Sequence, residues 1–166
     1  EIAHGLVGSE MCIRESSKTL ISQEEIKNKI SEIAEIINSK YKDEELVVIG
    51  ILKGAFIVVS DLAKQLQIDV TFDFMSIKSY YGSESSGQIK IIKDLEYDIS
   101  NKNILIVEDI YDTGLTLSSL KKLLESRNPK SIEIFSMFVK KGVSKDPNEI
   151  DYSAVSYTHL TLPTRL

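Results

Sequence analysis

The stretch Ile104-Leu105-Ile106-Val107-Glu108-Asp109-Ile110-Tyr111-Asp112-Thr113-Gly114-Leu115-Thr116 decides how the rest of this 166-residue chain is read. Asn103 to Asp109 is an apolar run ending in two adjacent carboxylates, the pattern of a strand covered on both faces in a parallel sheet. Tyr111 to Thr116 then reads as a turn in which Gly114 stands between Thr113 and Thr116. A glycine permits close approach, and backbone N–H groups entering a helix cradle an anion at the positive end of the helix dipole. A phosphate fits there. Glu108 and Asp109 would repel it, but they suit the hydroxyls of a sugar or a Mg²⁺ shared with a second phosphate group. Phosphate, polyol and metal together point to an activated sugar phosphate.

Outward from this stretch, strands and helices alternate. Ser22-Gln23-Glu24-Glu25 has the capping-box form, and Ile26, Ile30, Ile33 and Ile37 recur at helical spacing, so a helix is expected over residues 23–40. Leu46 to Ile51 is a short, branched apolar run expected as a buried strand, after which Lys53-Gly54 leads into a helix over Ala55 to Leu66. Ile68 to Ile77 reads as a strand with Val70, Phe72 and Phe74 on one face. Lys78 to Gln88, polar and rich in Ser and Gly, reads as a flexible excursion before a second β-like run, Ile89 to Ile92. Leu115 to Ser126 has helical period and stops before Pro129, and Ser131 to Val139 is the next strand. The alternation predicts an α/β fold, an open, mainly parallel sheet with flanking helices. Ligands bind such sheets at the C-terminal ends of the strands, where the carboxylates and the glycine turn fall.

Composition limits the alternatives. With 42% hydrophobic and 27% charged residues, the chain is an ordinary globular sequence long enough for one domain with a real core. The single cysteine, Cys12, cannot form an internal disulfide. Twenty basic residues against 25 acidic ones give a net charge of −5, which disfavours nucleic acid as a partner. No run approaches the ~20 apolar residues of a membrane span, and no basic-then-apolar leader precedes the fold, so a cytoplasmic location and no membrane partner are expected. The chain lacks G-x-x-x-x-G-K-[ST] and G-x-G-x-x-G, which argues against a P-loop hydrolase and a dinucleotide site. A signalling receiver with Asp109 as phosphoacceptor would explain the acid but not the Thr-Gly-x-Thr turn after it.

The two ends read differently. No His or Cys lies between Ser16 and Ala154, whereas His4, Cys12 and His159 lie outside. Leu6 to Arg14 and Val155 to Thr164 show neither strand alternation nor helical period. Ser156 to Leu160 can be encoded TCT TAT ACA CAT CTC, whose reverse complement reads Glu-Met-Cys-Ile-Arg, the sequence at Glu10 to Arg14. One inverted DNA repeat, of the kind carried by transposase-type sequencing adapters, accounts for both. Residues 1–15 and 155–166 therefore read as non-native, flanking a domain over 16–154.

Val107 to Thr116, VEDIYDTGLT, resembles the phosphoribosyl-pyrophosphate signature of the type I phosphoribosyltransferases. ILKGAF (Ile51 to Phe56), KSYYG (Lys78 to Gly82) and MFVKK (Met137 to Lys141) follow the order and spacing of the hypoxanthine-guanine phosphoribosyltransferases, and the likeness covers Thr19 to Val155. The resemblance implies a Rossmann-like sheet, a mobile hairpin loop over the active site, and purine salvage. In that reaction 5-phosphoribose passes from phosphoribosyl pyrophosphate to N9 of hypoxanthine or guanine, giving IMP or GMP and pyrophosphate.

It also implies roles. Glu108 and Asp109 would hold the ribose hydroxyls directly and through Mg²⁺. Asp112 would act as the catalytic acid–base at purine N7 as well as contacting phosphoribosyl pyrophosphate; its inert alternative is an N-cap of the following helix. Thr113, Gly114, Leu115 and Thr116 would hold the 5′-phosphate. Lys53 and Gly54 would meet the pyrophosphate, with a cis peptide between Leu52 and Lys53. Ser79 and Tyr80 would belong to the closing loop, and Lys140 would donate to the purine 6-oxo group. Relatives continue past Asp151-Tyr152 with a segment that stacks an aromatic residue on the base and adds a metal-binding acid, where this chain has VSYTHLTLPTRL, so impaired turnover is expected. Competing expectations are a regulatory protein that senses phosphoribosyl pyrophosphate, disfavoured by the acidic balance, and an enzyme for xanthine or adenine. The apolar helix face Ala55 to Leu62 suggests a homo-oligomer.

Overall fold

The computed structural model describes residues 21–79, 89–112, 114–140 and 150–157. In chain order the elements are α1 (Gln23–Lys40), β1 (Leu46–Leu52), α2 (Phe56–Ala63), β2 (Val70–Ser79), β3 (Ile89–Lys93), β4 (Asn103–Tyr111), α3 (Leu115–Glu125), β5 (Ser131–Lys140) and β6 (Tyr152–Tyr157). They form the expected α/β architecture: one six-stranded sheet in the order β3-β2-β1-β4-β5-β6, parallel throughout except for the antiparallel edge pair β2–β3.

The alternation of side chains along the central strands builds two cores. Leu46 and Val48 of β1, Leu105 and Val107 of β4, and Phe135 and Met137 of β5 pack on one face against α1 and α2. Val47, Ile49 and Ile51, Ile104 and Ile106, and Ile134 pack on the other face against Leu117, Leu120 and Leu124 of α3. Helix α1 begins at the capping box: Ser22 Oγ accepts the Glu25 N–H, and the Glu25 side chain accepts the Ser22 N–H. Its buried residues Ile30, Ile33, Ala34 and Ile37 repeat at the spacing of one helix face.

Boundaries differ from the sequence expectation in several places, and β2 runs Val70–Ser79 rather than Ile68 to Ile77. Helix α2 ends at Ala63 rather than Leu66, because Asn38 of α1 engages the chain leaving it: its amide donates to the Gln65 carbonyl at 3.0 Å and accepts from the Gln67 N–H at 2.8 Å. Strand β4 runs two residues past Asp109, held there by pairing of Ile110 with Phe138 and Tyr111 with Val139 on β5. The segment from Val155 was expected to have no strand pattern, yet Val155, Ser156 and Tyr157 belong to β6 and pair with Phe138, Val139 and Lys140. The expected hairpin excursion falls mostly on residues 80–88, outside the described residues.

Candidate active site

Strand β1 leads out to β2 on one side, and β4 leads to β5 on the other, so the order reverses between β1 and β4. Pairing of these two strands ends at Gly50 with Val107. Glu108 and Asp109 come directly after that last pair, on the strand that has lost one neighbour while keeping the other. This is the switch-point crevice in which open α/β sheets bind ligands.

The electrostatics of the crevice are unfavourable for the protein alone. Burial pushes the Glu108 carboxyl up to about 9, reinforced by a hydrogen bond with the Asp109 side chain and by the Asp109 charge. Glu108 therefore keeps its proton at neutral pH. Asp109 Oδ1 accepts the Ile110 N–H at 2.9 Å. Across the crevice, a Cβ built on Gly54 would overlap the Asp109 carboxyl carbon and both its oxygens, the farthest of the three lying at 2.5 Å. The peptide bond between Leu52 and Lys53 is cis, as the family resemblance implied. Lys53 is exposed and forms no ion pair among the described residues.

Gly114 adopts φ 72°, a left-handed conformation that favours glycine, and caps α3 without a side-chain hydrogen bond. The first N–H groups of a helix have no partner in the helix itself, so the α3 terminus offers donors to an anion. Leu115 is half exposed there, and Thr116 is partly buried. Thr113 and Tyr80 lie outside the described residues; Ser79 ends β2, and its backbone alone is described.

Asp112 is not the N-cap, a position held by Gly114. Its carboxylate Oδ1 instead accepts from Lys140 Nζ at 2.6 Å. This hydrogen bond and the carboxylate charge hold the Lys140 ammonium above its ordinary value. Both side chains remain open to solvent, 56% and 39% exposed. Tyr157, the register partner of Lys140, has its phenol pushed up by burial and then by the Asp112 charge. The chain therefore brings Gly54 against Asp109 beside Glu108, and pairs Asp112 with Lys140. Sequence reading foresaw each of these residues but neither the Gly54–Asp109 contact nor the Asp112–Lys140 pair. Both are contacts between segments far apart in sequence, with no local signature. It also missed an open cavity of about 550 Å³ bordered by Gly54, Asp109, Ile57, Ile110, Met137 and Phe138.

Residues 16–161 match the phosphoribosyl transferase domain family. The chain is 41% identical over 140 residues to the hypoxanthine-guanine phosphoribosyltransferase of Staphylococcus epidermidis, covering 84% of this chain and 78% of that one. The chain belongs to the hypoxanthine-guanine phosphoribosyltransferases. A hypoxanthine phosphoribosyltransferase of Buchnera aphidicola is 40% identical over 147 residues, covering 87% of this chain and 83% of the relative. The crystal structure of a hypoxanthine phosphoribosyltransferase from Staphylococcus aureus aligns with a TM-score of 0.80 at 39% identity, covering 85% of this chain and 77% of that one. Fold and family agree: this is a transferase of purine salvage, built on the type I phosphoribosyltransferase sheet.

Proposed function

We propose that the chain transfers 5-phosphoribose from phosphoribosyl pyrophosphate to N9 of hypoxanthine or guanine, releasing pyrophosphate. The observation that carries this reading is the Asp112–Lys140 pair at 2.6 Å. A 6-oxopurine presents O6 and N7 side by side on one edge. A carboxylate and an ammonium held together supply the matching acceptor for an N7 proton and donor for O6, and adenine, with an amino group at that position, would meet an ammonium donor that it cannot satisfy.

The remaining roles follow the crevice. Gly114, Leu115 and Thr116 bind the 5′-phosphate through the start of α3, joined by Thr113. Lys53, exposed and free of ion pairs among the described residues, meets the pyrophosphate beside Gly54, and Ser79 and Tyr80 contact the reacting sugar. Asp112 takes the N7 proton as the bond from N9 to the ribose forms and releases it to solvent before the next turnover, which requires that it stay in contact with the base through the reaction. Glu108 and Asp109 bind the ribose hydroxyls.

The donor set also fits Mg²⁺. Glu108 and Asp109 are hard oxygen ligands, and no group of three or more His, Cys, Asp or Glu completes a cage among the described residues. That suits an ion that keeps waters and takes substrate oxygens. Such an ion would neutralise charge on the leaving pyrophosphate. Phe56 and Ile57 on α2 are 53% and 54% exposed, which supports a homo-oligomer formed through this helix. No described helix is long and apolar enough to cross a membrane; a cytoplasmic location is part of this proposal.

The test is pyrophosphate release from phosphoribosyl pyrophosphate and Mg²⁺ with hypoxanthine, guanine, xanthine or adenine. Release with the first two and not with adenine is expected. Tight binding of phosphoribosyl pyrophosphate without turnover of any base would favour a metabolite sensor, and turnover of adenine would overturn the assignment of the Asp112–Lys140 pair.

A further inference from the structure

We propose that Gly54 is a positioning residue for Asp109: the side chain it lacks leaves the space in which the Asp109 carboxylate is held at the crevice. The proposal rests on the phosphoribosyl-pyrophosphate reading above and adds to it a coupling between the turn after β1 and the acid on β4.

Two features separate this from an ordinary requirement for glycine. First, Gly54 is not among the residues of positive φ, which among the described glycines comprise Gly114 alone, so its backbone accepts an alanine. Second, the nearest atoms to a Cβ at this position are the three terminal atoms of the Asp109 side chain, with no backbone atom among them. A clash with backbone would distort the fold. A clash with the end of one side chain is relieved when that side chain swings away. Asp109 has somewhere to go, because it borders the open cavity whose other walls include Ile57, Ile110 and Phe138. It cannot carry its backbone along, since Glu108 and Ile110 on either side are paired to Ser136 and Phe138.

Gly54→Ala should therefore leave the sheet intact and move the carboxylate off the crevice toward an apolar wall, breaking its hydrogen bond from the Ile110 N–H. The glycine acts through the acid, so its substitution should cost much less where the acid is already gone.

A double-mutant cycle decides this, using Gly54→Ala, Asp109→Ala and the double variant. Affinity for phosphoribosyl pyrophosphate with Mg²⁺ is read by calorimetry, Tm by thermal unfolding, and the Ile110 amide resonance by NMR without ligand. Removing one charge-assisted hydrogen bond to a ligand weakens binding roughly tenfold or more. Gly54→Ala is expected to lose about that much, as Asp109→Ala does, and to shift the Ile110 amide. In the Asp109→Ala background the same change should lose severalfold less affinity than it does in the unaltered chain, what remains being Gly54's own contact with the pyrophosphate. Additive losses would overturn the proposal, because Gly54 would then act through its own contacts. If Gly54→Ala lowers Tm, Asp109→Ala must restore it; no restoration also overturns it. Should the unaltered chain bind no phosphoribosyl pyrophosphate, the functional reading fails, and the ligand-free amide shift and Tm cycle still judge the positioning.

Discussion

The two edges of the sheet treat their acids in opposite ways. At the N-terminal edge Glu133, Glu44 and Glu45 are each engaged by donors. Glu133 on β5 accepts from Tyr41 at 2.8 Å, from Tyr152 at 2.7 Å and from Lys40. Burial would raise it, but the hydrogen bonds from Lys40, Tyr152 and Tyr41 together hold it below the usual carboxylate range. Glu44 accepts from Asn103 at 2.7 Å and Lys130 at 2.5 Å, and Glu45 pairs with Lys102. At the C-terminal edge Glu108 is pressed against another acid and Lys53 forms no ion pair among the described residues. The first arrangement ties α1, β4, β5 and β6 together. The second, the Asp112–Lys140 pair apart, leaves charge without a counter-ion among the described residues, which is how perturbed titration marks a site.

If this division is right, charge-removing changes at the two edges should fail in different assays. The largest effect is expected for Asp112→Asn. The amide keeps the shape but cannot take the N7 proton, so kcat should fall roughly 10- to 10⁴-fold while affinity for phosphoribosyl pyrophosphate stays within a few-fold. Stability should hardly change, since the Asp112–Lys140 pair is open to solvent. Steady-state kinetics with calorimetry checks this. Collapse of binding with turnover at saturation preserved would make Asp112 a ligand-holding residue.

Glu133→Gln tests the opposite edge. Three donors lose a charged acceptor, so unfolding free energy should drop by about 1–3 kcal/mol. Turnover at saturation should be unchanged, because Glu133 lies near the start of β5 and the crevice at the strand ends. Denaturant unfolding beside a kinetic assay reads both. A large fall in kcat without loss of stability would dissolve the contrast between the edges.

The same contrast explains what the sequence could show. Strands, helices and the capping box were legible because each is written in neighbouring residues: Ile30, Ile33 and Ile37 on one helical face, and the apolar runs of β1 and β4. The glycine turn and the two acids were legible for the same reason. Boundaries shifted where a distant residue intervened, as Asn38 does at the end of α2 and Phe138 and Val139 do at the end of β4. Strand β6 was missed because its pattern is that of a half-buried edge strand, fixed only by its register on β5. Within the site, residue types could be read, but the pairings of Gly54 with Asp109 and of Asp112 with Lys140 depend on which strands lie side by side.

The effect that is smallest per pH unit is also the one whose sign separates the two edges. Glu108, raised from an ordinary 4.5 to about 9 in the fold, keeps a proton that the unfolded chain has lost anywhere between those values. The folded state then binds more protons than the unfolded one, so this group makes stability fall as pH rises through that window, by at most about 1.4 kcal/mol per pH unit. Above about 9 both states are ionised and the slope disappears. Glu133, held low, works the other way: its contribution is present above 4.5 and is lost as pH falls through its lowered value. In metal-free, ligand-free buffer, Glu108→Gln should flatten the decline of Tm between about pH 5 and 9, an effect of at most a few degrees per unit, and raise Tm at neutral pH. Glu133→Gln should leave that slope in place and remove stability chiefly above pH 4.5. Unchanged pH dependence in the Glu108 variant would mean that the acid pair is relaxed in solution, and the crevice would lose its claim to be the strained edge of the sheet.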